Sequence, residues 1–162
     1  LNNQIKEKHK MKDIADLIAR IFLAFIFLYD AYDSSFYFQT TKAKMINYGL
    51  TWQTHNLLIL AIFLLVVGGI LLLTGYRSKF GALLLMIYYI PLTLIVHDFW
   101  NIPPECIISD TCEYINEEFR RLQITMFMKN LAIIGGLLTV FVNGSGRWSI
   151  KRLFATTKVP GY

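Results

Sequence analysis

Charge is what this chain has least of: only 17% of its 162 residues are Asp, Glu, Lys or Arg, where a soluble globular domain carries about 25%. With 55% hydrophobic residues and a mean hydropathy of +0.45, that deficit excludes an ordinary soluble domain and reads as an integral membrane protein. Two cysteines are too few for a disulfide-built scaffold or a cysteine-rich zinc site. The chain has no low-complexity tract, G-X-Y period or sustained heptad, which excludes disordered, collagen-like and coiled-coil designs. It also lacks a P-loop, a Rossmann glycine motif, a nucleophile elbow and the zinc-binding H-E-x-x-H string, so catalysis by this chain alone is not expected and no catalytic residue is assigned. His9, His55 and His97 are scattered, a pattern that predicts no haem or metal site.

What is present is apolar length. Four stretches stand out, at about 14–38, 57–74, 80–96 and 122–142, each long enough or nearly so to cross a hydrocarbon core as a helix. None alternates as a barrel strand would, and unpaired backbone groups are not tolerated in lipid, so the expected fold is an all-α membrane protein, a four-transmembrane-helix bundle. A basic segment at 1–13 precedes the bundle, a loop at 98–121 joins the last two spans and a basic tail at 143–162 follows. One domain fits this length.

Basic residues give the orientation. Lys6, Lys8, Lys10 and Lys12 precede the first span, Arg77 and Lys79 follow the second, and Arg147, Lys151, Arg152 and Lys158 lie in the tail, whereas Asp98, Glu105, Asp110, Glu113, Glu117 and Glu118 gather in the 98–121 loop. The positive-inside rule then places both termini in the cytoplasm. The net charge of +5 is thereby a topology signal, and no nucleic-acid surface is expected. Leu1 stands where a Met would be, and Met11 lies just ahead of the first span, so translation is expected to begin at either place. A cleaved signal peptide is the competing reading, opposed by an apolar run that continues past Asp30 with no A-x-A-like site.

Cys106 and Cys112 both fall in the loop assigned to the outside. A C-x5-C pair in an oxidising compartment is expected to close as a small-loop disulfide, the alternative being two free thiols. Gly68-Gly69 in the second stretch and Gly135-Gly136 in the fourth, each followed by leucines and then a Gly and an Arg, form a weak internal echo. It reads as a parallel repeat of two hairpins or as close backbone packing at each pair.

Three strings then carry a resemblance: Gly68-Gly69-Ile70-Leu71-Leu72-Leu73-Thr74-Gly75-Tyr76-Arg77; His97-Asp98-Phe99-Trp100; and Gln123 with Phe127-Met128-Lys129-Asn130-Leu131-Ala132-Ile133-Ile134-Gly135-Gly136-Leu137. Over the stretch from the second span to the fourth, the chain resembles the DoxX family of small membrane proteins; its first span is less typical. The resemblance implies a four-helix bundle in the bacterial cytoplasmic (inner) membrane, a place in a larger membrane complex and a link to quinone or sulfur redox chemistry. Quinone is the one cofactor it suggests, held without a covalent bond.

Ionisable groups at membrane depth are costly and default to functional or paired roles. Counted from span ends, Asp30 and Lys129 lie at equal depth, Asp33 one turn further out, and His97 with Asp98 at the end of the third stretch. In the functional reading, Asp30, Asp33, His97, Asp98 and Lys129 form a ligand site: His97 and Lys129 donate to quinone carbonyls, Asp30 or Asp98 relays a proton, and Tyr88, Tyr89 and Trp100 flank the ring. In the structural reading, Asp30 and Lys129 neutralise each other and fix helix order. Arg20 is expected to snorkel to the headgroups, and Pro91 to bend the third span. Two functions follow: a membrane subunit of a quinone-linked redox system whose partner carries the electrons, or a noncatalytic accessory or scaffold subunit of a cell-envelope assembly that docks through its acidic loop and basic tail.

Overall fold

The computed structural model describes residues 2–101, 110–145 and 149, and every regular element among them is helical: α1 (Asn2–Phe36), α2 (Phe38–Asn47), α3 (Thr54–Thr74), α4 (Ser78–Val96) and α5 (Asp110–Asn143). The expected Cys106 to Cys112 disulfide and most of the basic tail lie outside the described residues. Among the described residues three helices are long and apolar enough to cross a membrane, α3, α4 and the Glu117–Asn143 part of α5. At 1.5 Å per residue α3 spans about 31 Å and α4 about 28 Å, which matches a hydrocarbon core of about 30 Å. α1 has the length, but Arg20, Asp30 and Asp33 dilute its apolar run.

The surface is the inverse of a soluble protein's. Phe22 and Phe25 of α1 and Phe63 of α3 are 68%, 69% and 60% exposed, a pattern stable only where lipid replaces water. The buried centre is small: Ala24, Phe27 and Ala31 from α1, Leu65 and Leu72 from α3, Ala82, Leu85, Met86 and Tyr89 from α4, Leu137 and Val140 from α5.

Glycines decide how closely these helices approach. A Cβ on Gly68 would meet Leu85 Cγ at 2.6 Å and Gly81 O at 3.3 Å, and one on Gly81 would meet Gly68 O at 3.1 Å, so α3 and α4 touch backbone to backbone. Gly69 makes the matching approach on the other side of α3, against Leu28 of α1. Both Gly-Gly pairs thus lie on helices, and their bland reading, close packing, holds for Gly68 and Gly69; Gly135 has no atom near its would-be Cβ.

The helices run antiparallel in the order α1, α3, α4, α5. α1 packs extensively on α3, α3 on α4 and α4 on α5, while α5 and α1 meet only sparsely. The start of α1, the α3–α4 turn and the end of α5 share one end, called the terminal end below. Gly75 (φ +68°) and Arg77 (φ +49°), both left-handed, reverse the chain there. Lys79 Nζ donates to Val142 O at 2.9 Å, placing a cation on the orphan carbonyls at the C-terminus of α5. Lys79→Met is expected to lower stability by about 1 kcal/mol, read as an earlier thermal unfolding midpoint in detergent.

Two local features add to the sequence reading, and one expectation, that for Arg20, needs correction. The segment after the first span is a helix of its own, α2, with no buried residue, which a hydropathy scan passes over because it is polar. α4 is one helix that contains Pro91, and Thr93 folds its hydroxyl back onto Tyr89 O at 2.8 Å in the adjoining turn. Arg20 does not snorkel. It is 1% exposed, its Nε donates to Asp16 O at 3.4 Å, and its guanidinium abuts Gly75, with Ser149 packed on the same glycine.

Candidate functional site

The loosely packed face between α1 and α5 brings together the polar groups at membrane depth. The two helices touch where Leu23 meets Gly136, whose would-be Cβ lies 3.3 Å from Leu23 Cδ2. Asp30 is seven residues beyond Leu23 along α1, and Lys129 seven residues from Gly136 in the corresponding direction along antiparallel α5. Seven residues are about two turns and about 10 Å, so each side chain returns to the face of its predecessor. Asp30 and Lys129 therefore occupy the same level on opposite walls of one seam. They are not joined: among the described residues no ion pair links them, Asp30 is half-buried and Lys129 is exposed. The neutralised pair of the structural reading is thus not made.

α4 supplies the back wall. Tyr89, 5% exposed, donates its hydroxyl to Asn130 Oδ1 at 2.8 Å, and Asn130 Nδ2 donates to Thr93 Oγ1 at 3.2 Å. Phe27 of α1 meets the Tyr89 ring edge-on at 5.2 Å. This network ties α4 to α5 beside Lys129, and half-buried Tyr88 lies next to it in the chain. Its donors and acceptors saturate one another, as polar groups in a low-dielectric interior must. Asn130 stands within the string Lys129-Asn130-Leu131, yet a neutral amide among leucines gives no sequence signal of the kind a charge does.

The remaining predicted residues form a second, separate level. His97 caps α4, its backbone N–H bonded to Thr93 O at 3.2 Å, and its Nδ1 lies 2.6 Å from Gln123 Oε1. Asp98 accepts from Asn101 Nδ2 at 3.1 Å. Phe99, Trp100 and Phe127 pack edge to face around this end, with centroids 5.1 to 6.2 Å apart. His97 is eight residues beyond Tyr89 on α4, about 12 Å at the helical rise. Asp33 lies one turn beyond Asp30 on α1, between the two levels. Asp30 and Lys129 are thus matched in level along α1 and α5 by residue count but not in contact, while His97, Asp98 and Trp100 lie near the membrane-end position where an aromatic belt is expected. No group of three or more His, Cys, Asp or Glu fit to hold a metal occurs among the described residues.

Comparison with known proteins agrees with a small membrane bundle. The family model for DoxX matches residues 15–98, just over half of the chain. The inner membrane protein YqjF of Escherichia coli is 28% identical over 144 residues, covering 89% of this chain and 95% of that protein. The Surfeit locus protein 4 homolog of Schizosaccharomyces pombe is 26% identical over 143 residues, 88% of this chain but only 38% of that longer protein. No solved structure matches the chain. The family match takes in α1 from residue 15 onward, α2, α3 and α4, and stops short of α5. The first span, less typical by its residues, is therefore inside the matched region, and the Lys129-Asn130 string is outside it.

Proposed function

We propose, from the premise that this chain belongs to the DoxX family, that it is a multi-pass subunit of a larger inner-membrane complex and offers a quinone head group a site in the α1–α5 seam. α1 is then the fourth span, and the basic residues at the terminal end face the cytoplasm. The relative named an inner membrane protein supports the location. One observation carries the reading: α1 and α5 pack only sparsely, and a carboxyl group on the one and an ammonium group on the other lie equally far along their helices from the Leu23–Gly136 contact.

The residues present suit such a head group. Lys129 donates hydrogen bonds to one carbonyl oxygen, and the Tyr88 hydroxyl is a second donor from the back wall. Asp30 on the opposite wall exchanges a proton at its carboxyl oxygen. A quinone takes up two electrons and two protons on becoming the quinol; the electrons come from a carrier on a partner protein, and the protons pass through Asp30. Phe27 and Tyr89, buried and packed edge-on at 5.2 Å, keep the bundle interior behind the seam apolar. His97, bonded to Gln123, orders the end of α4 and lies outside this site.

The test is to purify the chain from membranes in mild detergent and quantify quinone by mass spectrometry. One quinone per chain is expected, with at least about tenfold less retained by Lys129→Met or Asp30→Asn, the loss of one charge-assisted hydrogen bond. Both variants should keep the thermal midpoint of the parent, because neither residue is fully buried. Absence of quinone from the parent protein overturns the reading.

A specific feature favours the accessory role as the second reading. α5 has 34 residues, about 51 Å, which exceeds the hydrocarbon by several turns. Glu117 and Glu118, both exposed, lie at the start of its candidate membrane segment, where an envelope protein with a basic surface can dock. Purification with such a partner and no quinone would select this reading.

A further inference from the structure

Asp30 divides the bundle into two unlike parts. Toward the terminal end, 21–28 of α1, 57–73 of α3, 80–87 of α4 and 131–138 of α5 contain not one polar side chain. The four long helices thus share an apolar layer, about 12 Å thick along the α1 stretch. Ala24, Phe27, Leu65, Leu72, Leu85 and Leu137 fill its centre and are fully buried. On the terminal side of the layer the cleft between α1 and α5 opens into a cavity of about 150 Å³, lined from Asp16 and Arg20 up to Leu23 and Gly136. There it ends, about two turns short of Asp30.

In the other direction polar groups follow one another. Asp33 lies one turn beyond Asp30, with Ser34 next to it, and both are half-buried. α1 ends at Phe36, about 9 Å from Asp30 at the helical rise. Asp16, the nearest carboxyl group along α1 toward the terminal end, is about 21 Å away. The titratable groups around Asp30 come from three helices. Asp30 feels the charge of Asp33, and the hydroxyls of Tyr88 and Tyr89 on α4 feel that of Asp30. Lys129 of α5 is level with it by residue count, and α3 carries His55 in its first turn and no other titratable side chain.

A proton crosses a bundle only along hydrogen-bonding groups or water, and a buried water needs two or more polar partners. The apolar layer supplies no such partners, since its backbone groups are paired within helices. Asp33 and Ser34 supply both donors and acceptors. We propose that the Asp30 carboxyl exchanges protons with the side of the membrane away from the termini, by way of Asp33, and is sealed from the side that holds them. Asp33 takes a proton from water at that surface and passes it to a carboxylate oxygen of Asp30; release runs along the same path in reverse. The inference deepens the quinone reading and rests on it for the use of these protons: those that a quinone takes up on reduction come from that side, and those that a quinol gives up return to it. Access itself needs no quinone, so the two readings fail separately.

The test uses the full chain in quinone-free vesicles with a strongly buffered lumen, sorted by orientation through protease removal of an N-terminal tag. The external solution is acidified, and the infrared carboxyl band that Asp30→Asn lacks is followed in time. With the termini in the lumen the band is expected to rise at once; with the termini outside it should wait until the lumen itself acidifies. Asp33→Asn should slow the fast rise by about a hundredfold, the lower end of what a positioned proton-transfer group contributes, and Asp33→Glu should restore it. Equal rates in the two orientations overturn the proposal. So does an unchanged rate in Asp33→Asn, or a band that answers to neither side. One-sided access in a chain that purifies without quinone upholds the sealed path and overturns the quinone site alone.

Discussion

Gly68→Leu is expected to abolish a stable bundle. The Cβ alone would fall 2.6 Å from Leu85 Cγ and 2.8 Å from Leu85 Cδ2, with Gly81 O at 3.3 Å behind it. Leu85 is fully buried and has nowhere to retreat, because the space beyond it is filled by the rest of the core. Overpacking a core commonly costs about 1–3 kcal/mol; here the intruding side chain has to separate two backbones as well, so the upper end or more is expected. The measurement is unfolding in mixed micelles followed by far-ultraviolet circular dichroism. Gly68→Ala with Leu85→Ala should recover part of the loss, because the second change removes the atoms that the new Cβ strikes. Gly135→Ala, with no atom within 4 Å of its would-be Cβ, should be close to neutral and serves as the control for helix propensity.

Arg20→Ala is expected to cost about 3 kcal/mol, more than any other single truncation at the terminal end. Arg20 is among the largest of the fully buried side chains and fills the gap between α1, the Gly75 turn and Ser149. Truncation leaves a void there, with a penalty of the size seen for large buried side chains, and deletes the bond from Nε to Asp16 O. Arg20→Met keeps much of the volume and drops the charge, so it separates packing from electrostatics. A midpoint for the methionine variant close to the parent would assign the residue's stabilising role to its stem. A midpoint as low as that of the alanine variant would assign it to the guanidinium and the groups it meets.

The apolar runs of α3, α4 and α5 were legible because length and hydropathy are local properties, and the boundaries of α3 and α4 differ from the sequence reading by no more than three residues. α2 was not legible, since its ten residues mix polar and apolar side chains and bury none of them. Asp30 and Lys129 could be placed at one depth by counting residues. Their failure to join could not be foreseen, because depth says nothing about how far apart two helices stand. Arg20 illustrates a different limit: near a span end it reads as a snorkelling cation, and only the Gly75 turn, distant in sequence, gives it a buried place. Tyr89, Thr93 and Asn130 were hidden because neutral polar groups barely change the hydropathy of the spans that contain them. His97 was found, but its bond to Gln123 assigns it to the end of the bundle.

The close contact between Leu23 and Gly136, within a sparse α1–α5 interface, acts as a fulcrum. α1 is clasped by α3 and α5 by α4, so the pair can tilt relative to each other like the arms of pincers. Any rigid tilt about that point widens the gap on the Asp30 and Lys129 side as it narrows the gap beside Arg20, and the reverse. A molecule wedged between the arms on one side thereby sets the spacing on the other, and thermodynamic linkage makes that influence mutual.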